Sequence, residues 1–252
     1  MIDPIKISLV SYFNSKPFLH GIQQSSFSHN IELSLDIPAQ SAQKLLNKTV
    51  QIGLVPVAIL HEMSDFHIIS DYCIGALDSV KTVAIFSEVP LEKIKTIYLD
   101  HQSKTSVALC KFLLKAHWKL SPELLYPEKE FIHQIKGENA GLVIGDRTIG
   151  LEKKYPYVYD LASAWKTFSG LPFVFACWVS NIALPPEFLE EFNKALAFGV
   201  DQKLLVAEEN KSATVLDLKS YYTDYIHFFL DDELRSGMKL FLEMAFSEHS
   251  IK

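Results

Sequence analysis

The sequence predicts an α/β protein built from two lobes with a cleft between them. Three observations favour this fold class. Short apolar segments of strand length alternate with helical segments through roughly the first two-thirds of the chain. The alternation occurs in two successive sets, and the second begins near Pro90. The last third is helical by period and rich in aromatic residues, which we expect to pack against the lobes.

The first set of elements contains five predicted strands and two predicted helices. The strands, which are apolar or alternate between apolar and polar residues, are 6–9, 31–37, 50–57, 67–75 and 80–87. The helices are 18–24, preceded by Pro17, and 41–48. Strands that alternate with helices indicate βαβ units and a largely parallel sheet.

The second set repeats this pattern and leads into the helical last third. Its predicted strands are 96–100, 123–126, 140–145, 157–161 and 172–180, and its predicted helices are 105–118, 130–137 and 163–170. Residues 185–209 and 216–246 have helical period. Asp231, Asp232 and Glu233 are a plausible helix start, because acidic side chains favour the positive end of the helix dipole.

Two chain crossings are expected between the sets, near 86–90 and near 171–175. They make the first lobe discontinuous, with residues 1–87 and 176–252 in lobe 1 and residues 88–175 in lobe 2. A cleft between two lobes is the natural place for a ligand.

The composition argues against several classes of partner. The formal net charge is -6, which disfavours nucleic acid, and no apolar run reaches the ~18 residues of a membrane span. Cys73, Cys110 and Cys177 lie far apart, which is typical of buried free thiols in a reducing compartment. With no secretory signal visible, we expect a cytoplasmic protein that binds neither nucleic acid nor membrane.

Common catalytic and cofactor motifs are missing from the sequence. His61 and Glu62 are not followed by a histidine at zincin spacing, so no metal site is expected. The sequence contains no G-x-G-x-x-G, no Walker loop and no G-x-S-x-G. We therefore expect no cofactor and no serine-histidine nucleophile.

The most informative segment is 10–17, which joins the first strand to the first helix. It carries Tyr12, Asn14, Ser15 and Lys16 at the carboxyl end of the strand. Open α/β sheets bind ligands just beyond the carboxyl ends of their strands, so these polar side chains are candidates for a binding site. A plain loop of turn-forming residues is the alternative.

Four other polar residues are candidates by position. Thr105 and Ser106 begin a predicted helix, where backbone N–H groups can bind a carboxylate or phosphate, although ordinary helix capping is the alternative. Ser87 and Asp146 each follow an apolar strand and could be turn residues. Ser87 coincides with the first expected crossing, so it could face the cleft.

Several of these segments together resemble the menaquinone-biosynthesis family that includes chorismate dehydratase. The similar segments occur in the family's order over about residues 5–180: 10–17, 54–57, 73–87, 105–109, 144–146 and 159–176. The resemblance implies the two-lobe fold of type II periplasmic binding proteins, with a hinge. It also implies a cytoplasmic lyase that needs no cofactor and converts chorismate to 3-[(1-carboxyvinyl)oxy]benzoate by the futalosine route.

The resemblance also implies roles for individual residues. Asn14 and Ser87 match the family's positions at the reacting centre, so they are the expected catalytic residues. Tyr12, Ser15, Lys16, Thr105, Ser106 and Asp146 are the expected substrate-binding residues, for a substrate with two carboxylates. We expect a monomer or a homodimer.

The sequence departs from the family at two places, and two other functions stay open. Phe13 stands where leucine is common, and residues 77–81 lack the usual Gly-Pro-Val-x-Ser turn. One alternative is a solute-binding protein for a small carboxylate. The other is the sister enzyme that acts on dehypoxanthine futalosine, whose opening motif this chain lacks.

Overall fold

A computed structural model describes residues 4–127 and 130–246, which form two β-sheets and flanking helices. The strands are β1 (Ile5–Val10), β2 (Ile31–Asp36), β3 (Ile52–Pro56), β4 (His67–Ala76), β5 (Val83–Ser87), β6 (Thr96–Tyr98), β7 (Glu123–Leu125), β8 (Asn139–Ile144), β9 (Tyr157–Asp160), β10 (Phe173–Ser180) and β11 (His227–Phe229). The helices are α1 (Lys16–Gln23), α2 (Pro38–Leu46), α3 (Lys104–Leu113), α4 (Leu161–Ser169), α5 (Pro186–Asp201), α6 (Lys203–Asn210), α7 (Leu218–Ser220) and α8 (Asp232–Phe246).

The larger sheet has six strands in the order β11-β4-β10-β3-β1-β2. β1 pairs in parallel with β2 and β3, as βαβ units require. The predicted largely parallel sheet is wrong for the other half, because β10 returns from the second lobe and inserts antiparallel between β3 and β4. All eight residues of β10 are buried, which fits a strand with a neighbour on both sides and helices on its faces.

The smaller sheet has five strands in the order β7-β6-β8-β5-β9. β6 runs parallel to β7 and β8, whereas β5 runs antiparallel to β8 and β9. β5 therefore belongs to the second sheet, although residues 80–87 were predicted in the first lobe. The chain crosses from one sheet to the other at 77–82 and returns at 170–172. We therefore propose that each strand belongs to the lobe that contains its sheet, which places the lobe boundaries at these crossings and not at the predicted positions.

Asp160 ties the first crossing to the end of β9 and the start of α4. Its Oδ2 accepts hydrogen bonds from the Ser79 hydroxyl (2.8 Å) and from the Val80 and Lys81 N–H groups (3.1 and 2.7 Å). Its Oδ1 caps α4 by accepting from the N–H groups of Ala162 and Ser163. One carboxylate thus fixes the first crossing to the end of β9, where the second lobe begins its return.

The last third is less regular than its period predicts. The predicted helix at 185–209 is divided into α5 and α6, and the predicted helix at 216–246 contains the short α7, the strand β11 and then α8. β11 pairs with the edge of β4, and this pairing overrides the local helical pattern. The acidic helix start is confirmed, because Asp231 Oδ1 accepts a hydrogen bond from Leu234 N–H (2.9 Å) and α8 begins at Asp232.

Two further expectations can be compared with the structure. The predicted helix at 130–137 is wrong: only the 3-10 turn Ile132–Gln134 forms there, and Glu130 accepts hydrogen bonds from the N–H groups that begin it.

The three cysteines are buried free thiols, as predicted, and burial raises the pKa of Cys110 and of Cys177 to about 12. Within 4–127 and 130–246, no helix combines the length and apolarity needed to cross a bilayer.

Candidate functional site

The carboxyl ends of β1 and β3 in the larger sheet meet the end of β8 and the start of β5 in the smaller sheet. Between them lies a cavity of ≈ 40 Å³ lined by residues of both lobes: Val10, Tyr12, Asn14, Pro38, Pro56, Ile74, Val80, Thr82, Val83, Ser103, Ser106, Ile144, Gly145, Phe175 and Ala176. Ordinary small-molecule sites have ~300 Å³ or more, so the cavity in this form is small for a ligand.

Asn14 lies in the 3-10 turn Phe13–Ser15 that follows β1. The turn is held by the Ser15 hydroxyl, which donates to the Val10 and Tyr12 carbonyl oxygens. Asn14 Oδ1 is buried and has no hydrogen-bond partner within residues 4–127 and 130–246. Because buried polar atoms are usually paired, an unpaired amide oxygen at a cavity wall is a sign of a ligand-binding group.

Thr82 supplies a hydroxyl group to the same cavity. It is the last residue of the first crossing, directly before β5, and it is buried. Its Oγ1 lies 2.7 Å from the Tyr221 hydroxyl. Burial raises the pKa of Tyr221, and Thr82 and Asn14 both line the cavity. Thr82 and Asn14 are thus brought together although 68 residues separate them in the sequence.

The start of α3 forms another wall of the cavity. Ser103 is the N-cap, and its Oγ accepts a hydrogen bond from the Ser106 N–H (3.3 Å). Both serines line the cavity beside the positive end of the helix dipole, and the Ser106 hydroxyl donates to Ser103 Oγ (3.2 Å). Thr105 does not line the cavity: its Oγ1 accepts a hydrogen bond from Ala58 N–H (3.1 Å), so this hydroxyl joins the two lobes.

Hydrogen bonds across the cleft hold the lobes together. The Tyr12 hydroxyl donates to Gln102 Oε1, and Ala39 N–H donates to the Gln102 carbonyl oxygen (2.9 Å). Gly145 has a φ of 61°, and a Cβ on it would collide with the Tyr12 ring. These contacts require the backbone of lobe 2 to approach the Tyr12 side chain closely, which glycine permits.

Asp146 also joins the lobes. Its carboxylate accepts hydrogen bonds from Phe13 N–H, at 3.1 Å for Oδ1 and 3.3 Å for Oδ2. Burial raises the pKa of Asp146 to about 6, although the Phe13 N–H and the Lys16 charge lower it. The Asp146 carboxylate does not line the cavity, so this residue acts on the turn that carries Asn14.

The raised pKa of Asp146 predicts a pH-dependent effect of the Asp146→Asn substitution. A folded-state pKa above the unfolded value means that ionisation destabilises the folded protein as the pH rises from about 4 to about 6. Asparagine keeps an acceptor for Phe13 N–H without the charge. We expect the variant to gain ~1–3 kcal/mol of unfolding free energy at pH 7.5, and none below about pH 4.

Urea unfolding at several pH values measures this difference, with Asp78→Asn on the exposed surface as the control. An equal effect of Asp146→Asn at pH 4 and pH 7.5 would contradict a raised pKa of Asp146.

Besides Thr105 and Asp146, three more expected site residues lie outside the cavity. Ser87 ends β5, four residues and so roughly 13 Å beyond Val83, which lines the cavity. Its Oγ accepts a hydrogen bond from Val89 N–H (3.1 Å). The Ser15 hydroxyl is used by the backbone, and Lys16 Nζ lies over the Phe13 ring, 5.5 Å from its centroid.

Sequence reasoning missed Thr82, Ser103 and Tyr221. Thr82 was hidden inside a segment predicted as strand, but it is the only hydroxyl in 80–86, next to an expected crossing. Ser103 had a signal that could have been used, because serine is a favoured N-cap. Tyr221 had none, since one tyrosine in an aromatic stripe looks like any other core residue.

A larger groove of ≈ 1120 Å³ lies on the other side of α3 and shares Ser103 with the cavity. Its charged residues are engaged locally: Lys104 pairs with Glu62 (2.7 Å), and Lys111 Nζ lies over the Tyr126 ring. The groove is lined neither by strand ends nor by Asn14 and Thr82. We therefore assign the candidate site to the small cavity between the sheets.

Comparison with solved structures supports the fold. Protein AF1704 from Archaeoglobus fulgidus has a TM-score of 0.77 at 14% sequence identity, with 99% of each chain covered. A Candida albicans protein described as having the generic periplasmic binding protein fold has a TM-score of 0.64 at 12% identity, covering 96% of this chain and 90% of that one. The predicted two-lobe fold of periplasmic binding proteins is confirmed.

Comparison of sequences gives the family. The chain is 26% identical over 263 residues to the chorismate dehydratase of Thermus thermophilus, covering 95% of this chain and 94% of the relative. Residues 5–247 match the sequence profile of the menaquinone biosynthesis family. This match spans both lobes and the C-terminal helices, and the chain belongs to the menaquinone biosynthesis family.

Proposed function

We propose that this protein dehydrates chorismate to 3-[(1-carboxyvinyl)oxy]benzoate in the cleft between its lobes. The observation that carries the proposal is the meeting of Asn14, Thr82 and Ser106 in one mostly apolar cavity between the two sheets. The similarity to a chorismate dehydratase supports the choice of substrate.

The chemistry needs little from the protein besides position and polarity. Chorismate loses the proton at C3 and the hydroxyl at C4, which leave together as water, and the ring becomes aromatic. The C3–H bond is vinylogous to the ring carboxylate, so negative charge can spread towards that group. Because aromatisation drives the reaction, no redox partner is required. The enzyme has to orient the substrate and stabilise the developing charge.

The cavity residues suit these tasks. Ser103 and Ser106 at the start of α3 would bind one carboxylate with their hydroxyls and the nearby N–H groups. Asn14 and Thr82 would hold and polarise the C4 hydroxyl, with Thr82 in the role expected for Ser87. We assign the C3 proton to a carboxylate of the substrate itself, since tyrosine is the only ionisable residue type among the lining residues.

Closure of the lobes is part of this proposal. The cavity of ≈ 40 Å³ is far smaller than the ~300 Å³ or more of ordinary ligand sites, so chorismate would enter an open form. The contacts of Tyr12 with Gln102 and of Phe13 with Asp146 would re-form around the substrate and exclude water.

Incubation with chorismate tests the proposal. We expect an aromatic product, detected by its ultraviolet spectrum and by a mass lower than that of chorismate by one water. A sample without protein is the control, because spontaneous rearrangement of chorismate leaves the mass unchanged. Loss of chorismate at only this background rate would overturn the proposed reaction.

A carboxylate-binding protein without catalysis is the alternative. The absence of a carboxylate or lysine side chain among the lining residues favours it, since binding does not require a strong base. Titration calorimetry distinguishes the two functions: saturable binding of chorismate without any dehydrated product would favour the binding protein.

A further inference from the structure

The Tyr221 hydroxyl contacts Thr82, one of the polar residues that line the cavity. This tyrosine is 2% exposed and begins the turn Tyr221–Tyr225, directly after α7. Asp217 caps α7 by accepting hydrogen bonds from the N–H groups of Lys219 (3.1 Å) and Ser220 (3.4 Å). The Tyr221 hydroxyl thereby reaches Thr82, 139 residues away, from beneath the cavity.

The number of protons at the Tyr221 hydroxyl indicates which residue donates in its hydrogen bond with Thr82. A neutral tyrosine has one proton to donate, and burial raises the pKa of Tyr221, which keeps that proton in place. Within residues 4–127 and 130–246, the one hydrogen-bond partner of this hydroxyl is Thr82 Oγ1. If Thr82 donated to Tyr221, the buried Tyr221 proton would have no acceptor there, so we take Thr82 Oγ1 as its acceptor.

This direction leaves the Thr82 proton available to a ligand. The Thr82 hydroxyl already accepts from Tyr221, and its one acceptor among the described residues is the Val80 carbonyl oxygen at 3.5 Å, which is the outer limit for a hydrogen bond. Asn14 Oδ1 lines the same cavity and is buried without a partner among these residues, and an amide oxygen can only accept.

We infer that Tyr221 is a positioning residue that makes the Thr82 hydroxyl a donor, beside the acceptor Asn14 Oδ1, for one hydroxyl group of the substrate. A donor and an acceptor side by side suit an alcohol, which can accept from Thr82 and donate to Asn14. A carboxylate would be repelled by Asn14 Oδ1 and would bind at Ser103 and Ser106 instead. The assignment of this hydroxyl to C4 of chorismate rests on the proposed function.

The first test compares substrate preference in matched variants. Tyr221→Phe removes the hydroxyl from beneath the cavity. Tyr155→Phe is the control, because Tyr155 is also buried and donates one hydrogen bond, to the Ile132 carbonyl oxygen (3.1 Å), on the far side of lobe 2. Calorimetry measures the affinity of each variant for chorismate and for its 4-deoxy analogue.

We expect the wild-type protein and Tyr155→Phe to prefer chorismate over the 4-deoxy analogue by about 100-fold, and Tyr221→Phe to lose at least about 10-fold of that preference. In steady-state assays, kcat of Tyr221→Phe should fall about 10-fold or more, with KM changed much less. An unchanged preference in Tyr221→Phe would overturn the inference even if turnover fell.

A crystal structure of Tyr221→Phe provides a readout that does not depend on the proposed reaction. We expect the Thr82 side chain to rotate towards the Val80 carbonyl oxygen, since it would have lost its contact with the Tyr221 hydroxyl. A Thr82 side chain in its original position would overturn the inference. A wild-type protein that neither binds nor converts chorismate would overturn the proposed function, and the crystal structure would still decide the role of Tyr221.

Discussion

The Asn14→Ala variant should turn chorismate over about 100-fold more slowly than the wild-type protein, or slower still. The substitution removes an amide whose oxygen is buried at the cavity wall, without a partner in the part of the chain that the structure describes. A polar group kept unpaired in this way costs stability, so its interaction energy is available to the substrate. Loss of one aligned polar group at a reacting centre has this magnitude in other enzymes.

Steady-state kinetics with chorismate measures the effect, and thermal unfolding shows whether the variant is folded. Asn47→Ala is the matched control, because Asn47 is an exposed asparagine at the end of α2 whose side chain contacts Gln43. Near-normal kcat in a folded Asn14→Ala variant would remove Asn14 from the mechanism. A rise in KM alone would reassign it from the reacting centre to ordinary binding.

The Gly199→Ala variant should be destabilised by ~2–3 kcal/mol. A Cβ on Gly199 in α5 would overlap the carbonyl oxygen of Pro17 in α1, and a Cβ on Gly21 would overlap that of Ala195. Two glycines thus let the backbones of α1 and α5 touch. An extra methyl group must separate the helices, and overpacking of this kind costs 1–3 kcal/mol or more.

The sign of the effect is what makes this test informative. In an ordinary helix interior, alanine is favoured over glycine by roughly 1 kcal/mol, so the same substitution would stabilise a helix with free space around it. Urea unfolding measures the change, and Lys194→Ala on the solvent face of α5 is the control, with no change expected. A stabilised Gly199→Ala variant would show that α1 and α5 are not closely packed, and that the Asn14 turn before α1 has another support.

Local chemistry made much of the site predictable. The turn around Asn14 follows a short apolar strand and precedes a proline at a helix start, and all three signals lie within residues 5–17. Ser106 was expected at a helix start, and it lies at the start of α3. These predictions depended on neighbours close in sequence, where strand, turn and capping preferences act directly.

Ser87 and Thr82 mark the limit of that reasoning. Both have hydroxyl groups and lie at opposite ends of one apolar segment, and the sequence does not say which end faces the cleft. The direction of β5 in its sheet decides this, and β5 runs antiparallel to β8. The carboxyl end of β8 is at the cavity, so the amino end of β5 is there too, and Thr82 occupies the place expected for Ser87.

The sequence alone predicted the α/β class, the two lobes, the turn at Asn14 and the helix start at Ser106. These features could be predicted because periodicity and capping are properties of short segments. The tertiary structure alone decided the mixed order of the sheets, the crossing at 77–82 and the contact of Tyr221 with Thr82. These features join residues far apart in the chain, and their energies depend on which strands and helices become neighbours when the whole chain folds.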